Sequence, residues 1–292
     1  VFIVPATLAA LPRLRADTTS VLEVDDDLVP VLDGIPILVD DAAAWCARHR
    51  DSILASLVGA GIAVGQEALA VVEAMAAQAP RQTPALFVDD FTPEEAVDFP
   101  MPGLVDEDVQ TLLESGRSPL SWLNEQLKSA NVIVEVGPGA GGLSSLIAPR
   151  AKKRHVIVDQ SLRCVLLARS RARVAAGTHA DRVRGVVASA EALPFADGSV
   201  DTLVAENLVD LLDDPEAFVN EAARVIAGGG TLLLTTPDPG LGGDNDDELT
   251  DLLTEAGFTI DDVVDGLRWP RVHGPRHVEL WTCIGLRCTR NS

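Results

Sequence analysis

Val132 to Ser144 reads V-I-V-E-V-G-P-G-A-G-G-L-S, and this stretch decides the fold. The run Val132–Ile133–Val134 shows no polar alternation, as expected of a parallel strand buried on both faces. Glu135 follows, then Gly137, Gly139 and Gly141 at alternate positions, then the start of a helical pattern. Glycines let a ligand approach the backbone with no Cβ in the way, and the helix beyond presents N–H groups that lack intrahelical partners. The stretch reads as strand, ligand loop and helix, with a nucleotide-like ligand.

Downstream, strands and helices alternate. His155–Val158 is a strand ending at Asp159, and Ser161 caps a helix running to about Ala176. Val183–Ala188 and Val200–Ala205 are strands on either side of a loop, 189–198. Helix Pro215–Ile226, strand Thr231–Thr236 and helix Asp246–Ala256 follow, the last stopped by Gly257. Phe258–Val264 and Val278–Leu286 read as strands joined by a loop that carries Trp269, Arg271 and His273. Upstream, Ser118 caps a helix with Pro119 at its first position. This order gives an α/β fold with a parallel sheet and helices on both faces. Ligands in such sheets sit beyond the carboxyl ends of the strands. The glycine loop, Asp159, the 189–198 loop and Glu206–Asn207 all fall there.

The first 80 residues have a different texture. Val21–Val24 and Ile35–Val39 are β-type runs separated by Asp25, Asp26 and Asp27 and by Asp33–Gly34. Asp41 reads as the cap of a helix carrying Trp45, Ile53, Leu54 and Leu57, and a second helix spans roughly Gln66–Gln78. Five prolines and several acids then interrupt any regular element between residues 80 and 108. The expected organisation is a small α+β accessory domain over 1–80, a linker or lid over 81–108, and the sheet domain over 109–292.

The chain has 292 residues, enough for a sizeable core, and 47% of them are apolar. Its net charge of −21 opposes a general grip on nucleic acid or on an anionic membrane and favours a cationic partner. No stretch is long and apolar enough to span a bilayer. Cys46, Cys164, Cys283 and Cys288 lack metal-ligand spacing, so no metal is expected, and reduced structural thiols suit a cytoplasmic protein. Ten of the 23 Lys and Arg residues lie between Arg150 and Arg184. They read as the solvated face of a helix, with an acidic partner or a second subunit of a homodimer as alternatives.

Asp159 stands 20 residues after Gly139, at the end of the next strand. A carboxylate there can accept both ribose hydroxyls of a nucleoside, which NAD and S-adenosylmethionine share. The alternate glycines read as G-x-G-x-G rather than the longer G-x-G-x-x-G that suits a pyrophosphate, although Gly142 blurs that count, and the negative charge of Glu135 would oppose a pyrophosphate. The chain also has no Tyr, which removes the Tyr–Lys relay of one large dehydrogenase class.

From about Val109 to Leu286 the chain resembles class I S-adenosylmethionine-dependent methyltransferases of the branch that includes ubiquinone and sterol methyltransferases. The stretches that carry the resemblance are V-E-V-G-P-G-A-G, V-I-V-D, A-E-A-L-P-F-A-D-G-S-V-D-T-L-V and A-A-R-V-I-A-G-G-G-T-L-L-L-T-T-P. It implies a Rossmann-like seven-stranded sheet whose last strand, Val278–Leu286, is antiparallel. It also implies S-adenosylmethionine as cofactor, with Gly137, Gly139 and Gly141 along the methionine portion and Glu135 at its amino group. Asp159 and Gln160 would take the ribose, Ser189, Ala190 and Glu191 the adenine edge, and Glu206 would complete the set. Ser189 stands where such proteins usually carry an acid, and Glu206–Asn207–Leu208–Val209–Asp210 replaces a segment that often holds paired histidines. D-G-I-P-I-L-V, residues 33–39, resembles a segment of small zinc-ribbon activators of methyltransferases, without their cysteines.

For chemistry, position favours Asn207 as the residue touching the acceptor and Asp210 as the group that orients or deprotonates it. His273 is a third candidate, reaching over from the C-terminal hairpin. The acid surplus favours an amine of a peptide or of a secondary metabolite in a bacterial biosynthetic pathway. O-methylation of a small metabolite, a non-catalytic cofactor-binding subunit and an NAD-dependent oxidoreductase are the alternatives.

Overall fold

The computed structural model describes residues 18–24, 27–39, 41–62, 66–78, 116–242, 247–274 and 277–292. The segment expected as linker or lid over 81–108 lies outside the described residues, as does the side chain of His273.

The described residues open on a small antiparallel sheet of β1 (Ser20–Val24), β2 (Asp27–Leu32) and β3 (Ile35–Pro36), in that order. β2 is absent from the sequence reading because Pro30 breaks its pattern. Proline is tolerated here because only its carbonyl is used, accepting from Ile37 N–H at 2.9 Å. Asp41 caps α1 (Ala42–Gly59) by accepting from Ala44 N–H, and α2 (Gln66–Ala76) buries Ala68, Val71, Val72 and Met75. These elements share one apolar cluster with Leu162, Val165, Leu166 and Val187 of the larger sheet domain. The segment 33–39 makes the junction: Ile37 bridges Val187 in parallel, and Leu38 N–H donates to Val187 O at 2.7 Å. The Arg169 guanidinium, 4% exposed, donates to the Asp33 carbonyl and carboxylate. Arg169 is therefore not part of a solvated basic face, because its charge is spent inside this junction.

The larger domain begins with α3 (Pro119–Gln126), whose Ser118 and Ser121 form a reciprocal cap. Then come β4 (Ala130–Val136), α4 (Gly142–Ile147), β5 (Ala151–Asp159), α5 (Leu162–Ala176), β6 (Val183–Val187) and β7 (Val200–Glu206). α6 (Pro215–Val225), β8 (Ile226–Thr236), α7 (Glu248–Glu255), β9 (Phe258–Gly274) and β10 (His277–Arg290) complete it. The seven strands lie in the order β6-β5-β4-β7-β8-β10-β9. Strands β4 to β8 pair in parallel, and β10 runs antiparallel to both β8 and β9. This is the Rossmann-like sheet with its reversed strand, as the resemblance implies.

One expectation needs correction here. β9 and β10 are much longer than two short strands, and Trp269, Arg271 and His273 belong to β9 rather than to a loop. Proline, glycine and charge hide the strand in the sequence, but cross-strand pairing continues through Pro270↔Leu280 and Arg271↔Glu279.

One face of the sheet packs its valines and leucines on α6 and α7, with Phe218 and Phe258 buried between them. The other face is covered by α3, α4 and α5, where Trp122, Ile133, Val204, Leu233 and Cys283 meet. All four cysteines are buried and none is in a disulfide. Burial pushes the Cys46, Cys283 and Cys288 thiols up to about 12, so they behave as small apolar groups. Among the described residues, no helix is long and apolar enough to cross a membrane, and no cluster of His, Cys, Asp and Glu could hold a metal.

Candidate functional site

The carboxyl ends of β4, β5, β7 and β8 come together at one rim, and the loop after β4 forms its floor. The three glycines of that loop have positive φ, but their surroundings differ. A Cβ on Gly141 would stand 2.4 Å from the Ala168 Cα of α5, so glycine lets α4 start against its neighbour. A Cβ on Gly137 would meet Leu208 at 2.8 Å, which closes that side too. Gly139 faces open space, with nothing within 4 Å of where its Cβ would be. Only this middle glycine offers bare backbone to a ligand.

Glu135 lies beneath the loop instead of lining it. It is 1% exposed; Oε1 accepts from Ser144 Oγ at 2.8 Å, and Oε2 pairs with His155 Nε2 at 2.9 Å. The resemblance implied Glu135 at a ligand amino group, directly or through water. Both oxygens are instead held by the protein, and any attraction from Glu135 reaches the rim through space. Ser144 and His155 are wholly buried, and His155 Nδ1 has no partner among the described residues. The sequence shows His155 only as the first residue of a strand, and nothing in it marks Ser144 as a partner of Glu135 beyond its place one turn into the helix after the glycines.

Asp159 ends β5 half-buried, and its Oδ1 accepts from Ser161 N–H at 2.8 Å. Burial raises its pKa from 3.8 to about 7; the Ser161 backbone N–H opposes this, the Glu135 charge adds to it, and the Gln160 N–H opposes it. A carboxylate has about four acceptor positions, so two backbone donors leave capacity for a pair of ligand hydroxyls. Gln160 is exposed beside it. A groove of about 500 Å³ between α1 and α5 lies close by, lined by Ser52, Ser56, Arg163 and Leu166.

After β6, Ser189 Oγ accepts from Glu191 N–H at 3.2 Å, which shapes the turn around buried Ala190. The Glu191 carboxylate reaches the Asp214 N–H at 3.0 Å, ahead of α6. Ser189 and Ala190 thus edge the rim, while the Glu191 side chain secures the scaffold.

On the other half, Asn207 holds a left-handed backbone (φ 49°) and is 8% exposed. Its Oδ1 accepts from Thr235 Oγ1 at 2.8 Å, and its N–H donates to the Thr235 carbonyl at 2.9 Å. Through Oδ1 the Asn207 side chain stitches the end of β7 to β8. Asp210 accepts from Thr236 Oγ1 at 2.9 Å. Its pKa is raised by burial, with the Thr236 bond opposing and the Asp238 charge adding. Thr235 and Thr236 were not singled out in the sequence, although two adjacent hydroxyls ending an apolar strand are a readable signal.

Comparison with known proteins bears on this rim. Residues 134–234 match the family model described as methyltransferase domain. That match takes in the glycine loop, Asp159, Ser189–Glu191 and Glu206–Asp210. It is 35% identical over 162 residues to a probable S-adenosylmethionine-dependent methyltransferase of Mycobacterium tuberculosis, covering 51% of this chain and 54% of that protein. It is 30% identical over 115 residues to a ubiquinone/menaquinone biosynthesis C-methyltransferase of Roseobacter denitrificans, covering 39% and 45%. A malonyl-[acyl-carrier protein] O-methyltransferase of Hahella chejuensis is 33% identical over 102 residues, covering 34% of this chain and 29% of that protein. The chain spans about half the length of the first of these relatives. The first name specifies no acceptor atom and the other two specify carbon and oxygen, so similarity alone does not choose it.

The cofactor these relatives imply can be tested against the rim. The open backbone at Gly139 and the spare acceptor positions of Asp159 fit the methionine chain and the ribose of S-adenosylmethionine, and Ser189–Ala190 leave an edge for adenine.

Proposed function

We propose that the chain transfers a methyl group from S-adenosylmethionine to an amine nitrogen of a peptide or small metabolite. The observation that carries this reading is the pairing of an open Gly139 with a half-buried Asp159 on one side and the acids Glu206, Asp210 and Asp238 on the other. S-adenosylmethionine, when bound, supplies a methyl group activated by its sulfonium.

The residues of the chain bind, orient and move a proton. Asp159 as carboxylate accepts the ribose hydroxyls, with Gln160 alongside. Gly139 admits the methionine portion to the backbone, and the turn at Ser189–Ala190 edges the adenine. Glu135, buried behind the loop, contributes negative potential near the ammonium and sulfonium ends. Asn207 fixes the Leu208–Asp210 turn through Thr235, so that Asp210 faces the acceptor side. A carboxyl whose pKa is raised by burial is better matched to taking a proton from an ammonium acceptor than an ordinary one. The nitrogen lone pair freed in this way would be the nucleophile for that methyl group, and Asp210 would hold the proton removed.

Incubating the full chain with S-adenosylmethionine and a pool of amines, and following methyl incorporation by mass spectrometry, tests the reading. Amine products carrying one added methyl are expected. Cofactor binding with methyl transfer only to hydroxyl acceptors would move the reading to O-methylation, and binding with no transfer to any acceptor would favour a non-catalytic subunit.

A further inference from the structure

The β9–β10 ribbon continues beyond the sheet at the end that carries the rim. Ile284 pairs with Thr236, the last residue of β8. Because β10 runs antiparallel, residues 277–283 and their partners in β9 project past the carboxyl ends of the strands. Cys283 marks the base of this arm, and its thiol feels the charges of Asp210 and Glu206. The arm thus rises beside the acceptor half of the rim.

Register decides which side chains of the arm share a face. Leu267↔Cys283 and Trp269↔Trp281 are directly opposed pairs with no shift between them. Side chains at alternate positions share a face, so these four lie together. Leu267 and Cys283 are buried against Trp122 of α3. Trp269 packs on the same cluster, and Trp281 beside it is 43% exposed. One apolar face therefore runs from the core out to an exposed indole, about 7 Å beyond Cys283 at the usual rise of a strand. The opposite face carries Pro270 and Leu280, the latter also 43% exposed.

An isolated two-stranded ribbon is marginal in water, and an exposed tryptophan on one gains most from a partner that covers its ring. The β4 end lies three strand steps from β10, or about 14 Å. A molecule with one end at the cofactor's methyl group and its body towards the arm spans that gap.

We propose that Trp269 and Trp281 form the wall that holds the body of the methyl acceptor, and that this acceptor is an elongated apolar molecule with its amine at one end. The inference rests on the methyl-transfer reading and names the acceptor class for the same site. A hydrophilic peptide amine would leave the indole face in water, whereas an aromatic or alkyl body covers it.

The test is titration calorimetry of the full chain saturated with S-adenosylhomocysteine, using naphthylethylamine and ethanolamine as probes. Naphthylethylamine is expected to bind at least about tenfold more tightly. Trp281→Ala should abolish that preference, Trp281→Phe should keep most of it, and Leu280→Ala, on the other face, should leave it unchanged. S-adenosylhomocysteine affinity should be the same in all three variants, which also shows that they are folded. Equal binding of the two probes, no effect of Trp281→Ala, or an equal effect of Leu280→Ala overturns the proposal. A dimer that dissociates with Trp281→Ala would assign the face to a second copy and overturn it as well. Failure of S-adenosylhomocysteine to bind the wild-type chain would instead remove the methyl-transfer reading beneath it.

Discussion

The two halves of the rim are built on different principles. On the β4–β5 half, the charged groups under the loop are satisfied within the protein: Glu135 is held by Ser144 and His155, and both partners are wholly buried. On the β7–β8 half, acids stand near one another, and Asp210, like Asp159 at the β5 end, is pushed towards its neutral form by burial, with Asp238 adding to the push. The first arrangement gives a rigid cradle for a ligand whose shape is fixed in advance. The second leaves proton-accepting capacity for a ligand that changes charge. Substitutions on the first half should therefore cost stability or cofactor affinity, and substitutions on the second should cost turnover.

The largest effect is expected from Glu135→Ala, which leaves His155 and Ser144 buried without their acceptor. Denaturant unfolding should show a loss of about 3–5 kcal/mol. A change below about 1 kcal/mol would mean the buried trio is not the support of the loop. Gly141→Ala comes next, since its Cβ would meet the α5 backbone at a left-handed φ. About 2–3 kcal/mol of destabilisation is expected by the same measurement. Gly139→Ala, with open space at its Cβ, should keep more of the stability while weakening the cofactor.

Asp159→Ala should weaken S-adenosylhomocysteine binding by about 2 kcal/mol, or roughly thirtyfold. The wild-type group adds a pH signature of determined sign. Its folded pKa is about 7 against 3.8 for an ordinary carboxyl, so the folded state holds its proton more tightly. The stability this contributes to the ligand-free chain is fully present below pH 3.8 and is lost as pH rises through about 7. Cofactor affinity should move the opposite way and rise across the same upper limit, because the carboxylate is the better hydroxyl acceptor. Calorimetry between pH 6 and 8 checks this, and an affinity that falls with pH would contradict it. Asp210→Asn should have the smallest effect, lowering kcat/KM for an amine by about tenfold near neutral pH. The deficit should close at high pH, where the amine is already neutral, and an equal change in cofactor affinity would place Asp210 on the wrong half.

The sequence shows the first half better than the second for a physical reason. Gly137–Gly141, Asp159 and the capping serines are local signals, set by φ, strand ends and helix starts within a few residues. Even there, the partners of Glu135 come from the next helix and strand, 9 and 20 residues on, and spacing alone could not orient its carboxylate inward. On the second half almost every decisive contact is long-range: Asn207 to Thr235, Asp210 to Thr236, and Cys283 beside both acids. The arm shows the same limit. Its residues look like a loop because Pro270, Gly266 and Arg271 interrupt the β pattern, and only pairing with β10 makes them a strand. The junction of Asp33 with Arg169 spans 136 residues and leaves no trace in local pattern.

The central claim is that the glycine loop and Asp159 receive a methionine-bearing adenosine. Titration calorimetry of the full chain at pH 8 with S-adenosylmethionine, S-adenosylhomocysteine and NAD tests it most directly. Binding of the first two at one site, lost in Asp159→Ala, with no heat from NAD, is the predicted result. Binding of NAD alone would contradict the account.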